Sequence, residues 1–395
     1  MNARQSGYNE QPEAGSVKDD SKQKGRGHGS SGCFVVFITI VIMGFVFLMG
    51  IWILSINSER YHERRSERQR EYHRDQGHEV IRFDDERMAE LQRARRIEHE
   101  VHIFRYHPFA YRNNLTVMQE EPTITFTENF PRLDGATAAF PVFAAIAQAL
   151  YIGLDEYSVE EFVTVSQTDV AYERLINGEI DIFFGAQPSR QQFEMAYQAG
   201  VELIMTPVAR EAFVFFVHED NLVDNLSISQ IQDIYQRNIT NWSQVGGRDE
   251  RILTFQRPKN SGSQTIMLAM VMDGLPIAEP VLQEFRTQMS DIINYVAINE
   301  YRNVSSAIGY SFRYFVTGMH PNDDINILAI NGIEPTIENV KNGVYPFIIN
   351  VYAVTAGSVN ENVDTLIDWI LSDQGQRFIE LCGIVPIRAE SLNGQ

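Results

Sequence analysis

The sequence predicts an α/β fold. From about Pro122 onward, short apolar runs of strand length alternate with amphipathic stretches of helical period. The chain of 395 residues, 44% hydrophobic, is also long enough for two folded domains of ~150 residues each. The strand candidates are Phe162–Val165, Ile180–Phe184, Glu202–Met205, Phe213–Val217, Ile252–Phe255, Tyr295–Ala297, Ile325–Leu328 and Tyr345–Val354. Helical patterns fall between them at Phe143–Tyr151, Val170–Asn177, Gln191–Ala199, Ser229–Arg237, Gln264–Met272 and Val363–Leu371. Such alternation implies largely parallel sheets covered by helices, with ligands held by the loops that lead from strands into helices.

The N-terminal part has a different character. Residues 34–56 run for 23 positions without a charge, enough at about 1.5 Å per residue to cross a ~30 Å hydrocarbon core. No small-residue cleavage site follows, so the segment is expected to be a single-pass transmembrane helix after a disordered tail over 1–33. Residues 57–121 are expected to form a charged helical stalk. Glu59, Glu63, Glu67, Glu71 and Asp75 recur every four residues, Arg60, Arg64 and Arg68 follow one step later, and no apolar seam accompanies them through residue 79. Six arginines over 60–74 would by themselves keep the C-terminal part in the cytoplasm.

The formal charge is −19, and residues 122–395, with fifteen basic and thirty-four acidic side chains, hold all of that excess. A protein that wraps nucleic acid needs the opposite sign. Two cysteines exclude a disulfide scaffold and any multi-cysteine metal cluster.

Three loops carry ligand chemistry. In Leu133–Pro141, Gly135 permits close backbone approach and Thr137 offers a hydroxyl; an ordinary loop into a helix has the same composition. In Val165–Thr168, Thr168 reads as a helix N-cap. In Arg257–Thr265, free N–H groups at a helix start meet Gly262, the hydroxyls of Ser261 and Ser263, and the two-pronged guanidinium of Arg257. That set suits an anion, and it equally describes a capped helix beside a surface arginine.

Taken in order, LDGATAAFP, SQTDVAYERLINGEIDIFFGAQPS, TPVAREAFVFFVHEDN, ITNWSQVGG and FQRPKNSGSQT resemble the substrate-binding proteins of phosphate ABC transporters, over roughly residues 122–391. The resemblance implies the type II periplasmic binding protein fold, two α/β lobes closing on a hinge. Chain crossings are expected near Val208–Ala212 and Tyr345–Ile348, giving one lobe from 122–209 plus 348–395 and another from 210–347. It also implies ligand contacts from Thr137 and the backbone of Ala138, from Thr168 or Ser166, and from Arg257, Ser261, Gly262 and Ser263. Gln187 stands where the family usually places a carboxylate. A carboxylate only accepts hydrogen bonds and so favours an anion that keeps a proton, whereas an amide can also donate.

The expected function is capture of inorganic phosphate, or a related oxyanion, on the extracytoplasmic side of the membrane for an ABC permease, against the arginine count. The alternative is a membrane-anchored sensor or surface interaction protein on the same scaffold. No cofactor, no metal and no nucleic acid are expected. Neither a G-x-S-x-G elbow nor a P-loop is present, so the protein reads as a binder and not an enzyme.

Overall fold

Two β-forming runs, Ile204–Thr206 and Phe213–Val217, are joined through Pro207–Ala212 into the spine of the domain: Ile204–His218 is one strand, β3, of fifteen residues. The computed structural model describes residues 103–281, 284–286, 288–297 and 306–387. The expected transmembrane helix, the tail before it and the stalk as far as residue 102 lie outside the described residues. Among the described residues no helix is long and apolar enough to cross a membrane.

The remaining strands are β1 (Leu133–Gly135), β2 (Ile182–Gly185), β4 (Asn225–Leu226), β5 (Leu253–Thr254), β6 (Ala307–Phe312), β7 (Ile325–Ile327), β8 (Ala329–Ile330), β9 (Ile348–Thr355) and β10 (Val385–Pro386). The main sheet runs β1-β2-β9-β3-β6-β5, with β7 and β10 also paired to β3 and a separate β4–β8 ladder. Helices α1 (Phe140–Leu150), α2 (Gln167–Ile176), α3 (Arg190–Gln198), α4 (Ile228–Tyr235), α5 (Gly262–Ile266), α6 (Met289–Ala297), α7 (Ile337–Lys341), α8 (Asn362–Leu371) and α9 (Asp373–Leu381) complete a two-lobed α/β fold. Serine caps place several of them. Ser189 and Ser227 each close a capping box with the glutamine three residues on, which fixes where α3 and α4 begin.

β3 is shared by the two lobes. Its residues Ile204 to Ala212 pair with β9, and Phe213 to His218 pair with β6 and β7. The register shifts between Pro207 and Ala209, where proline lacks the N–H that a regular ladder needs. At the changeover the Phe213 amide donates to the Phe347 carbonyl at 2.9 Å, so the second crossing lies beside the first. Behind them, buried Glu211 accepts from the Ala212 amide at 2.8 Å, Arg313 Nε at 3.2 Å and the Tyr314 amide at 3.2 Å. Arg313 also donates to the Gly383 carbonyl at 2.6 Å. Burial raises the Glu211 pKa, and the Arg313 charge opposes that rise.

Several expectations need correction. The sheet is mixed: β2–β9, β3–β9, β3–β10, β3–β6 and β3–β7 are antiparallel, and only β1–β2, β5–β6 and β4–β8 are parallel. The cause is that β3 and β9 run in opposite directions where they join the lobes. Glu202–Met205 and Phe213–Val217 contribute to the same strand. Phe162–Val165 gives only a single bridge, Val163 to Leu133, and Tyr295–Ala297 ends helix α6. Folded structure also begins before residue 122. Tyr106, Ala110 and Leu115 are buried. The Phe109 amide and Asn113 Nδ2 both donate to Gln148 Oε1, at 2.9 and 2.6 Å. The last part of the expected stalk is therefore packed onto the domain.

Removing Arg313 would strand a buried carboxylate at the lobe junction. Arg313→Ala is expected to cost about 3–5 kcal/mol of stability, read as a lowered midpoint in thermal unfolding. A midpoint equal to that of the unmodified chain would contradict this role.

Candidate functional site

The first loop is organised by a carboxylate that sequence reasoning passed over. Asp134 on β1 is fully buried and accepts from the amides of Gly135 and Ser166, both at 2.7 Å. Its other oxygen accepts from Ser166 Oγ at 2.6 Å and pairs with Arg174 Nη1. Asp134 thus ties the start of α1 to the start of α2. Gly135 is required here, since a Cβ would lie 2.1 Å from the Phe184 carbonyl oxygen of β2. Thr137–Ala139 then forms a single 3₁₀ turn whose start has no side-chain cap. Thr137 and Ala138 therefore sit at the head of the run leading into α1.

The second loop differs from expectation. Ser166, not Thr168, occupies the N-cap position of α2, without a capping side-chain bond, because its hydroxyl is donated to Asp134. Gln167 turns the chain with φ of 71°, a left-handed conformation that costs a non-glycine residue on the order of 1 kcal/mol. That turn puts Thr168 inside the helix and nearly buried. Its hydroxyl lies 3.2 Å from where a Cβ on Gly262 would stand, and the Cβ of Ala186, the residue before Gln187, lies 3.6 Å from the same point. Thr168, the Gln187 loop and Gly262 therefore converge. A Cβ at 262 would press on the Thr168 hydroxyl, which would have to give by a few tenths of an ångström.

The third loop holds the charge. Ser261 caps α5, its Oγ accepting from the Gln264 amide at 3.3 Å, and α5 passes into a π-helical turn at Met267–Val271. The Arg257 amide is held by Gln264 Oε1 and the Tyr310 hydroxyl, both at 3.1 Å, and the Tyr310 hydroxyl donates to Gln264 Oε1. The Arg257 side chain is buried, and its Nε and Nη1 have no hydrogen-bond partner. Ser263 Oγ and Thr265 Oγ1, on the same helix, are also buried and unpaired. Burial lowers the Arg257 pKa to about 10, against the opposing charges of Tyr310 and Asp291. The guanidinium is still protonated at neutral pH. A buried cation with two idle donors, on the loop that runs into a helix with two idle hydroxyls, has the donor chemistry that would suit an anion.

Asn260 joins the lobes. Ser189 Oγ donates to Asn260 Oδ1 at 3.2 Å, Asn260 Nδ2 donates to Gln191 at 3.0 Å, and Gln192 donates to the Asn260 carbonyl at 3.4 Å. Gln167 reaches Gln288 at 3.4 Å. None of these contacts was visible in the sequence, because the partners lie about seventy or more positions apart. Thr265 was visible within the third loop and was missed because its position inside a helix gave no sign of an unsatisfied hydroxyl.

A two-lobed α/β fold with a donor-lined seam between the lobes defines a ligand-binding protein of the interlobe type. Residues 128–374 match the model of the PBP superfamily domain, and the chain belongs to that superfamily. It is 26% identical over 172 residues to the phosphate-binding protein PstS of Bacillus subtilis, covering 43% of this chain and 53% of that protein. The match therefore spans about half of that relative's length. It is 24% identical over 270 residues to protein SphX of Synechococcus elongatus, covering 65% of this chain and 77% of that one. Among solved structures, a phosphate ABC transporter substrate-binding protein with bound phosphate from Clostridium perfringens has a TM-score of 0.52 at 24% identity. That likeness covers 65% of this chain and 99% of the other, and it bears on the fold.

A buried charge with unpaired donors destabilises the protein that holds it. Arg257→Met is expected to raise the stability of the anion-free chain by about 1–4 kcal/mol in denaturant titration, since a flexible apolar side chain fills similar space without the desolvation cost. A less stable methionine variant would mean that the guanidinium has a structural partner.

Proposed function

We propose that this chain is an extracytoplasmic solute-binding protein that captures inorganic phosphate, or a related tetrahedral oxyanion, and presents it to an ABC permease. The observation that carries the reading is the buried Arg257 guanidinium with Nε and Nη1 unpaired, together with the unpaired hydroxyls of Ser263 and Thr265 on the helix that follows its loop. The names of the Bacillus and Synechococcus relatives support the ligand class. The lobes that close are 122–209 with 348–395, and 210–347, moving about the β3 and β9 crossings.

Each oxygen of the ligand would find directed donors: the Arg257 fork, the hydroxyls of Ser263, Thr265 and Thr168, and the backbone at Thr137–Ala138. Ser261 and Gly262 present the helix start, and Ser166 acts indirectly by holding Asp134. Affinity rests on these short contacts, because a domain carrying the whole −19 excess repels anions at long range until salt screens it beyond ~8 Å. The hydroxyls act as donors, and the role is binding and release without chemistry, as in other substrate-binding proteins of this superfamily.

Calorimetric titration of phosphate tests the site. Arg257→Ala is expected to weaken binding by about 2–5 kcal/mol, at least thirtyfold. An unchanged titration would remove Arg257 from the site and the reading with it. Capture also requires the domain to face outward, with residues 34–56 as the anchor. Protease treatment of intact cells should release the domain; complete protection would reverse the topology.

A further inference from the structure

A groove of about 710 Å³ opens beside the anion loops, far roomier than one tetrahedral oxyanion needs. One wall comes from the first lobe and includes Phe193 and Tyr197, one turn apart on α3; the other comes from the helix that begins at Gly262 and includes Leu268 and Ala269. The two aromatic rings are 43% and 87% exposed, so a flat or apolar body entering the groove would find uncovered surface to lie against. The groove is built on the same loops as the anion donors. Gln187 and Ser189 line it from one lobe, and Lys259 and Thr265 from the other. Thr265 is the shared residue: it forms part of the groove wall while its Oγ1 is buried and unpaired.

The residue at position 187 points the same way. A phosphate monoester has a second pKa near ~6, so at pH 7.5 it is a dianion with no P–OH proton to be accepted. An amide that donates suits an ester oxygen better than a carboxylate would. We propose that the cleft takes a phosphate monoester, its phosphoryl oxygens on Arg257, Ser263 and Thr265 and its organic substituent, aromatic or apolar, in the groove between α3 and Leu268. This rests on the oxyanion reading of Arg257 and narrows it to a substrate class.

The test is titration calorimetry of the full-length chain in mild detergent at pH 7.5, with phenyl phosphate and inorganic phosphate as probes. Phenyl phosphate is expected to bind at least tenfold more tightly than phosphate. Replacing both rings (Phe193→Ala with Tyr197→Ala) should weaken phenyl phosphate roughly five- to tenfold and leave phosphate unchanged. Since both rings are exposed, the variant is expected to fold. Phenyl phosphate binding no better than phosphate, or indifferent to loss of the rings, overturns the monoester assignment while the oxyanion reading survives. Failure of both probes to bind removes both readings.

Discussion

The organising constraint of this protein is a positive charge kept out of water. Arg257 is placed by its backbone, which Gln264 and Tyr310 hold, while two of its guanidinium nitrogens remain idle. Holding an ion in that state costs several kcal/mol, a cost that an anion bound there would offset. Much of the surrounding architecture serves to bring donors to that point: the helix that starts at Gly262, the Asp134 brace behind the first two loops, and the Asn260 bonds that draw the lobes together.

The site was legible in part because its chemistry is local. Arginine, serine, glycine and a helix start within nine residues suggest an anion shell or a capped helix, and the burial of Arg257 without partners favours the first. The supporting shell was not legible. Asp134 looked like a loop residue, yet it receives both loops and so decides that Ser166 braces and Thr168 reaches the seam. Thr168 read as a cap because threonine before an amphipathic stretch usually is one; the helix instead starts two residues earlier, with Ser166 at the cap position and Gln167 left-handed. Asn260 carried no signal of its own, because its partners Ser189, Gln191 and Gln192 lie about seventy positions away in the chain.

Strand–helix alternation gave the class of fold correctly and the sheet direction wrongly. Alternation favours parallel neighbours when each crossover returns to the same sheet. Here β3 leaves one lobe, enters the next and is met by β9 coming back, so the strands at the junction are antiparallel. Pro207 hid the continuity, since proline normally ends a strand; a register shift accommodates it. Residues 103–121 were hidden for another reason. They follow a long charged stretch and were read with it, although Tyr106 and Leu115 join the core and Ile103, Phe109 and Met118 pack against it.

That docked segment has a mechanical consequence. Residues 103–123 are fastened to the first lobe at four side chains: Gln148, which holds Phe109 and Asn113, Gln374, which holds Thr123, Arg377, which pairs with Glu120, and Glu160, which meets His107. They touch the second lobe through Tyr106, whose hydroxyl stands 3.5 Å from the Gly318 carbonyl. A pull applied at residue 103 is thus delivered to one lobe, which becomes the stator, and the lobe carrying Arg257 is left as the rotor.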